Sequence, residues 1–326
     1  MAYGEIIDQK MLKTVRVAAV SVDSTTGDWN DNLKKITEWT KQAADSGVHL
    51  ILFQELSLSG FIPNHPTGDH DQWLRATLKR TRQIAQPIPG SWIEGLVNAA
   101  KKYDLLISAG ILEDAGNLLH NTQVIVGPGG FLGNWRKMHI PMYEAPFYNG
   151  GGIPEVIETS IGRLGVNICF DAMLPESTRL LAVQSVDIVL FPFAADPAPA
   201  TVAAWSAWAR PFLQARCSEN GVFGVASNYV GRVECLGTEQ VFPGGGMVLD
   251  PRGEILAESS TPTGKPGMVI ADLDASDLQA ARAEPEYAFR YRRPELYHFL
   301  TVETPPTDLL RKHGGKTKKE LEAEGK

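Results

Sequence analysis

The sequence predicts a mixed α/β fold, and three observations carry that prediction. Short apolar runs such as Val48-His49-Leu50-Ile51-Leu52-Phe53 recur along the chain, and runs of this kind fit strands buried on both faces. Several of them adjoin segments of helical period, which makes βα units. Others come in pairs across turns containing Gly or Pro, as hairpins do, so the sheets are expected to be mixed rather than purely parallel.

Val15 to Val22 reads as the first strand. The helix after it places Leu33, Ile36, Trp39, Thr40 and Ala43 around one side and ends near Gly47. The strand Val48 to Gln54 follows and meets Glu55. Ser91-Trp92-Ile93-Glu94 has capping-box spacing, with Ser91 as the expected N-cap of a helix reaching Tyr103. Leu105 to Leu112 is a strand. Gln123–Gly127 and Phe131–Lys137 pair around Pro128-Gly129-Gly130, and Val156–Thr159 pairs with Leu164–Cys169 around Ile161-Gly162-Arg163. Pro175 to Gln184 is helical, Asp187 to Phe191 a strand, and Trp205 to Glu219 helical. Val222–Ser227, Gly246–Leu249, Glu254–Ala257 and Met268–Asp272 are further strands. Residues 273–310 show little periodicity. Arg311 to Lys326 carry six Lys/Arg and three Glu with almost no apolar side chain, the composition of a disordered tail.

Three predicted strands stop at a residue with chemistry. The strand from Val48 stops at Glu55, the one ending Trp135-Arg136 at Lys137, and the one ending Asn167-Ile168 at Cys169. Carboxylates and ammonium groups are rarely buried without a partner or a task. Cys169 stands where a strand gives way to a turn and a helix start, on an elbow whose helix N-terminal amides are expected to favour a thiolate. A base, a cation and a thiol together make a complete set for acyl transfer.

At these residues the chain resembles the nitrilase superfamily, the carbon–nitrogen hydrolases, over roughly residues 14 to 275. The matching segments are Phe53-Gln54-Glu55-Leu56-Ser57-Leu58-Ser59-Gly60-Phe61, Arg136-Lys137-Met138-His139-Ile140-Pro141 and Cys169-Phe170-Asp171-Ala172-Met173-Leu174-Pro175-Glu176, with Arg216–Gly221, Ala226–Asn228 and Gly244–Gly253 downstream. The resemblance implies a four-layer α-β-β-α sandwich, two mixed β-sheets face to face with helices outside. It implies a Glu-Lys-Cys triad: Glu55 as general base, Lys137 as oxyanion stabiliser, Cys169 as nucleophile. It further implies the Phe170 backbone N–H as a second oxyanion donor and Glu144 as a supporting carboxylate that orients Lys137 or substrate. Phe61, Phe193 and Ala194 are candidate substrate contacts; Trp205 and Trp208 are weighed for the pocket against plain core. The expected substrate is a small carboxamide or N-carbamoyl compound. Met173 stands where many members carry Arg, which disfavours a substrate carboxylate held from that position. Cys169-Phe170-Asp171 looks more like the amidase and carbamoylase branches than like nitrilases. The resemblance also implies a homo-oligomer, with residues 276–310 as an arm at a subunit interface behind a short extension at 1–13.

Composition bounds the alternatives. The chain has 326 residues, 43% hydrophobic and 21% charged, with a net charge of −7. That is ordinary for a globular enzyme and argues against a general nucleic-acid binder. Three Cys without regular spacing argue against a disulfide framework and for a reducing, cytoplasmic setting. No apolar run is long enough to span a membrane, and no signal peptide is legible. His65, Asp69, His70 and Asp71 read as a polar surface loop rather than a metal site, and no cofactor is needed. Gly127-Pro128-Gly129-Gly130 opens a strand, not a helix, and so fails as a phosphate cradle. Cys217 and Cys235 lack the elbow context and read as structural. The competing functions are nitrile hydrolysis, a Cys-His hydrolase using His139, and a non-catalytic interaction protein on the same fold.

Overall fold

The structure is a computed structural model that describes residues 11–64 and 69–301, with the isolated positions 316, 320 and 323. Residues up to Tyr287 form one compact unit and those from Ala288 a second. In the second, the described elements are two short 3₁₀ segments, Ala288–Tyr291 and Pro294–Thr301. Most of the expected extension 1–13, His65, and all but three positions of the expected tail 311–326 lie outside the described residues.

In the first unit, one six-stranded sheet is built from β1 (Thr14–Ser21), β2 (Leu50–Phe53), β3 (Leu106–Asp114), β4 (Leu119–Gly127), β5 (Gly130–Arg136) and β14 (Gly267–Asp274), in the order β14-β1-β2-β3-β4-β5. The other comprises β6 (Ile157–Thr159), β7 (Gly162–Val166), β8 (Ile188–Phe193), β9 (Phe223–Asn228), β12 (Gly246–Leu249) and β13 (Ile255–Glu258), in the order β13-β12-β9-β8-β7-β6. Each sheet has three parallel strands at its centre, β1-β2-β3 and β7-β8-β9, with antiparallel strands outside. The central strands are buried on both faces, which is why β2 and β8 read as continuous apolar runs.

Period-two alternation turns these sheets into four layers. Val15, Val17, Ala19, Leu50 and Leu52 meet Leu164, Val166, Ile188, Leu190 and Val225 between the sheets. The intervening Ala18, Val20, Ile51 and Phe53 face the other way, into a cluster with α1 (Trp29–Asp45) and α3 (Ser91–Tyr103) through Ile36, Ala43, Ile93 and Leu96. On the far side, Val189, Phe191 and Phe193 pack on α4 (Pro175–Ala182) and α5 (Val202–Asn220) through Leu181, Trp205, Ala209 and Leu213. This is the expected α-β-β-α sandwich.

Several elements differ from expectation, each for a physical reason. Helix α2 (His70–Ile84) occupies a stretch read as loop. Asp69 caps it by accepting from the N–H of Gln72 at 3.0 Å, but its buried stripe is Trp73, Thr77, Thr81 and Ile84, and two threonines blur the apolar period. The two-stranded ribbon of β10 (Val230–Cys235) and β11 (Thr238–Pro243) turns on Leu236-Gly237, both at positive φ, so Cys235 ends a strand rather than lying in a loop. The leucine hides a turn that would normally show Asn-Gly. Strand β4 begins four residues before the expected Gln123, because Asn121, Thr122 and Gln123 are polar yet fully buried. Strand β7 stops at Val166. Gly90, not Ser91, caps α3, its carbonyl accepting from Ile93 at 3.0 Å. Helix α6 (Ala275–Ala283), capped by Asp274, lies in the stretch read as aperiodic.

The sheets also fix the turn after β2. The N–H of Gly110 in β3 donates to Ser57 Oγ at 2.9 Å, and the N–H of Leu58 donates to the Gly110 carbonyl at 2.8 Å. A Cβ on Gly110 would lie 2.1 Å from the backbone nitrogen of Leu56, so only glycine allows this approach. Gly110→Ala is therefore expected to cost at least about 1–3 kcal/mol through overpacking, read as a lowered denaturant midpoint. An unchanged midpoint would contradict the close approach.

Candidate active site

Three strand ends converge. Glu55 leaves β2, and Leu56 behind it takes φ 53°. Lys137 leaves β5, which runs parallel to β3 because each is antiparallel to β4. Cys169 follows β7 in the opposite sheet. These three residues thus sit at C-terminal strand ends of two facing sheets, where open α/β sheets place their ligands.

Each end is held from more than one side. Arg136 Nε donates to Glu113 Oε2 at 2.8 Å, and Thr122 Oγ1 donates to the same oxygen at 2.7 Å, which ties β5 to β3 and β4 just before Lys137. The Lys137 N–H donates to the Asn121 carbonyl at 2.8 Å, and its own carbonyl accepts from Gly151 at 2.8 Å. Cys169 adopts φ 49°, the left-handed region that costs a non-glycine residue free energy, and opens a 3₁₀ turn to Met173. Arg216 on α5 braces that turn, Nε to the Ala172 carbonyl and Nη2 to the Met173 carbonyl, both at 3.0 Å.

Buried Asp171 links the two sheets' contributions. Its carboxylate accepts from the backbone N–H of Ile168 at 3.2 Å, of Met138 at 3.2 Å and of His139 at 2.9 Å. One side chain therefore fixes the thiol's elbow against the loop that carries Lys137. The His139 ring sits 2.8 Å from Asp171 and 3.4 Å from Ser177 Oγ. The hydrogen bond to Asp171 raises the imidazole pKa, with partial burial opposing. His139 is thus engaged with Asp171, which leaves the Cys-His reading without support in these contacts.

The polar cluster around Lys137 is buried. Lys137 is fully buried, and its Nζ donates to Glu55 Oε1 and to Glu144 Oε2, both at 2.8 Å. Asn121 Nδ2 also donates to Glu55 Oε1, at 2.5 Å, while Glu55 Oε2 is buried without a hydrogen-bond partner. Burial pulls the Lys137 ammonium down, but Glu144 and Glu55 outweigh it and hold its pKa well above the ordinary value. Burial pushes the Glu144 carboxyl up to about 7, with the charge of Glu55 adding and that of Lys137 opposing.

The thiol corrects an expectation. Burial, and next the carboxylate of Glu55, push the Cys169 pKa well above its usual value; Lys137 and the backbone N–H of Ala194 only partly offset this. The elbow opens a single 3₁₀ turn rather than an α-helix, and α4 begins only at Pro175. Cys169 is therefore held toward the neutral thiol rather than toward the expected thiolate.

The remaining candidates separate by face. Phe61 packs edge-on against Phe242 and Tyr229 and is buried core. Phe193 packs against Trp205, Trp208 and Phe212 under α5. What the end of β8 turns to the thiol is the next backbone N–H, that of Ala194. Trp205 and Cys217 are buried in the same α5 cluster, and Cys217 is held as a neutral thiol by burial. Among the described residues no group of three or more His, Cys, Asp or Glu is placed to hold a metal, and Asp69 is engaged as the α2 cap. No helix of the described residues is long and apolar enough to cross a membrane. Asn121 is the site residue that sequence reading missed. Its one signal is the polar run His120-Asn121-Thr122-Gln123, which leads directly into the apolar Val124-Ile125-Val126.

Comparison with known proteins agrees with this architecture. The family model described as carbon-nitrogen hydrolase matches residues 16–283. The chain is 30% identical over 287 residues to a nitrilase of Pyrococcus abyssi, covering 85% of this chain and 100% of that protein. It is 28% identical over 302 residues to the N-carbamoylputrescine amidase of Solanum lycopersicum, covering 88% and 95%. The fold superposes on the crystal structure of a carbon-nitrogen hydrolase from Helicobacter pylori G27 with a TM-score of 0.72 at 21% identity, covering 89% and 99%.

The raised Glu144 pKa yields a pH prediction. As pH falls through about 7, the Glu144 carboxyl takes up a proton and no longer holds Lys137 as a charged partner, so kcat/KM is expected to fall on the acid side. Glu144→Gln removes the group that titrates there, and the acid limb is expected to move to lower pH, along with a lower maximum rate. A pH profile whose acid limb stays in place, or moves up, counts against the coupling.

Proposed function

The chain belongs to the carbon–nitrogen hydrolase family, and on that premise we propose that it hydrolyses a non-peptide C–N bond of a small carboxamide or N-carbamoyl compound through a thioester on Cys169. One observation carries the reading: a fully buried lysine clamped between two carboxylates beside the Cys169 elbow.

Glu55 Oε2 takes the proton of Cys169 as Sγ attacks the substrate carbonyl. The developing oxyanion is stabilised by Lys137 Nζ and the N–H of Phe170. A fixed cation in a dry site acts more strongly there than in water, and it is oriented before the reaction begins. Collapse of the intermediate breaks the C–N bond, and the proton on Glu55 passes to the departing nitrogen. Water then attacks the thioester with Glu55 again as base, releasing the acid and the free thiol. Glu144 keeps Lys137 aimed while Glu55 changes protonation state. The relative named nitrilase favours a second reading, attack of the same thiol on a nitrile.

Amides, ureido compounds and nitriles screened for ammonia release decide among the substrate classes. On the best of them, Cys169→Ala is expected to abolish turnover, and iodoacetamide to inactivate with a single label at Cys169. Lys137→Ala is expected to lose about 10²–10³ in kcat, the usual weight of an oxyanion donor. The assignment fails if Lys137→Ala or Glu55→Gln keeps more than about a tenth of wild-type kcat/KM, a difference under ~1.4 kcal/mol.

A further inference from the structure

We propose that Asn121 is a positioning residue that leaves Oε2 as the one oxygen of the Glu55 carboxyl able to accept the reaction's proton. The inference rests on the hydrolase reading above. Glu55 Oε1 receives two donors, Lys137 Nζ at 2.8 Å and Asn121 Nδ2 at 2.5 Å. A carboxylate oxygen offers two lone pairs, and these donors occupy both. Oε2 is buried and has no partner. A bare, desolvated oxygen on a paired carboxylate is an unusual arrangement in a protein interior, where nearly every buried acceptor is satisfied. Here it leaves one open proton-accepting position on the base.

Asn121 reaches both partners of the ion pair. Its side chain holds the base. Its main-chain carbonyl accepts the N–H of Lys137 at 2.8 Å. Its backbone is itself fixed in β4, paired with Leu112 of β3. The spacing between base and cation is thus set by one residue of a strand paired on both sides. The orientation of the amide is also determined. Turning it over would put Oδ1 against the Glu55 oxygen, so the donor end faces the charge. Oδ1 is left buried without a partner, an unfavourable state that marks the position as kept for its donor rather than for packing.

In the reaction, the S–H bond of Cys169 breaks as the S–C bond forms, and the proton moves to Oε2. When the C–N bond breaks, the same proton moves from Oε2 to the departing nitrogen. Throughout, Oε1 stays bound to Lys137 and Asn121, so the carboxyl cannot rotate and present the protonated oxygen to its neighbours.

The test exploits the sign of the effect. Hydrogen bonds to the ionised form lower a carboxyl's pKa, so removing the Asn121 donor raises it. Asn121→Ala is expected to move the acid limb of kcat/KM to higher pH by about one unit, opposite to Glu144→Gln, with a roughly tenfold loss in kcat near neutrality, recovery at higher pH and KM within about twofold. Asn121→Asp keeps the shape but replaces the donor with a second carboxylate, and its limb is expected to lie higher still. The pH dependence of Cys169 alkylation by iodoacetamide, with Glu55→Gln as the control lacking the base, is to shift the same way and requires no substrate. A folded variant whose limb and alkylation profile match wild type, or whose activity falls equally at every pH, overturns the proposal. Failure of the wild-type protein to turn over any amide, ureido compound or nitrile defeats the hydrolase reading instead, and the alkylation profiles still decide whether Asn121 tunes the base.

Discussion

A fully buried lysine ammonium is the constraint around which the site is built. Leaving Lys137 unpaired in that interior would cost far more than any one contact returns, and pairing it with a single carboxylate seldom repays the desolvation of both. Two carboxylates face it instead, and Asn121 adds a donor to one of them. The surrounding architecture follows from keeping these four groups together. The Glu113–Arg136–Thr122 network ties down the strand that delivers the lysine. Gly110 lets the turn carrying Glu55 lie against β3. Asp171 holds the lysine's loop to the elbow of the opposite sheet.

The same electrostatics govern the thiol. A cysteine beside one lysine would be expected to ionise, but burial opposes the charged form, and the carboxylates of Glu55 and Glu144 add to that effect. Together they hold the thiol toward its neutral form. In the proposed mechanism that is useful: the Glu55 charge that keeps the proton on sulfur is also the group that removes it, and Lys137 keeps its charge for the oxyanion. The stored electrostatic free energy acts in the transition state rather than in the ground state.

Delivery of the parts from two sheets explains why the inter-sheet core matters to chemistry. Glu55, Lys137 and Asn121 belong to one sheet and Cys169 and Ala194 to the other, so the layer of Val17, Leu50, Leu52, Val166 and Leu190 between them sets their separation. Close-packed interiors transmit small displacements, and catalytic geometry tolerates little of them.

The sequence by itself determined the class of the fold, the order of most strands, and the three residues that end them. Short continuous apolar runs bounded by turn signals fit strands buried on both faces, and Glu, Lys and Cys at their ends stand out against that background. It did not reveal α2, whose buried face includes Thr77 and Thr81, nor the true start of β4, whose Asn121, Thr122 and Gln123 look like surface. Those polar residues are buried because their partners come from other strands: Glu55 for Asn121, Glu113 for Thr122, and the Phe53 carbonyl for Gln123. Local pattern reports a residue's affinity for water, whereas the worth of a buried polar group depends on what faces it. Only the tertiary structure decided that burial and two carboxylates oppose ionisation of the thiol, that Phe61 and Phe193 fill core, and that Asn121 donates to one oxygen of Glu55, because each of these depends on groups brought together from distant parts of the chain.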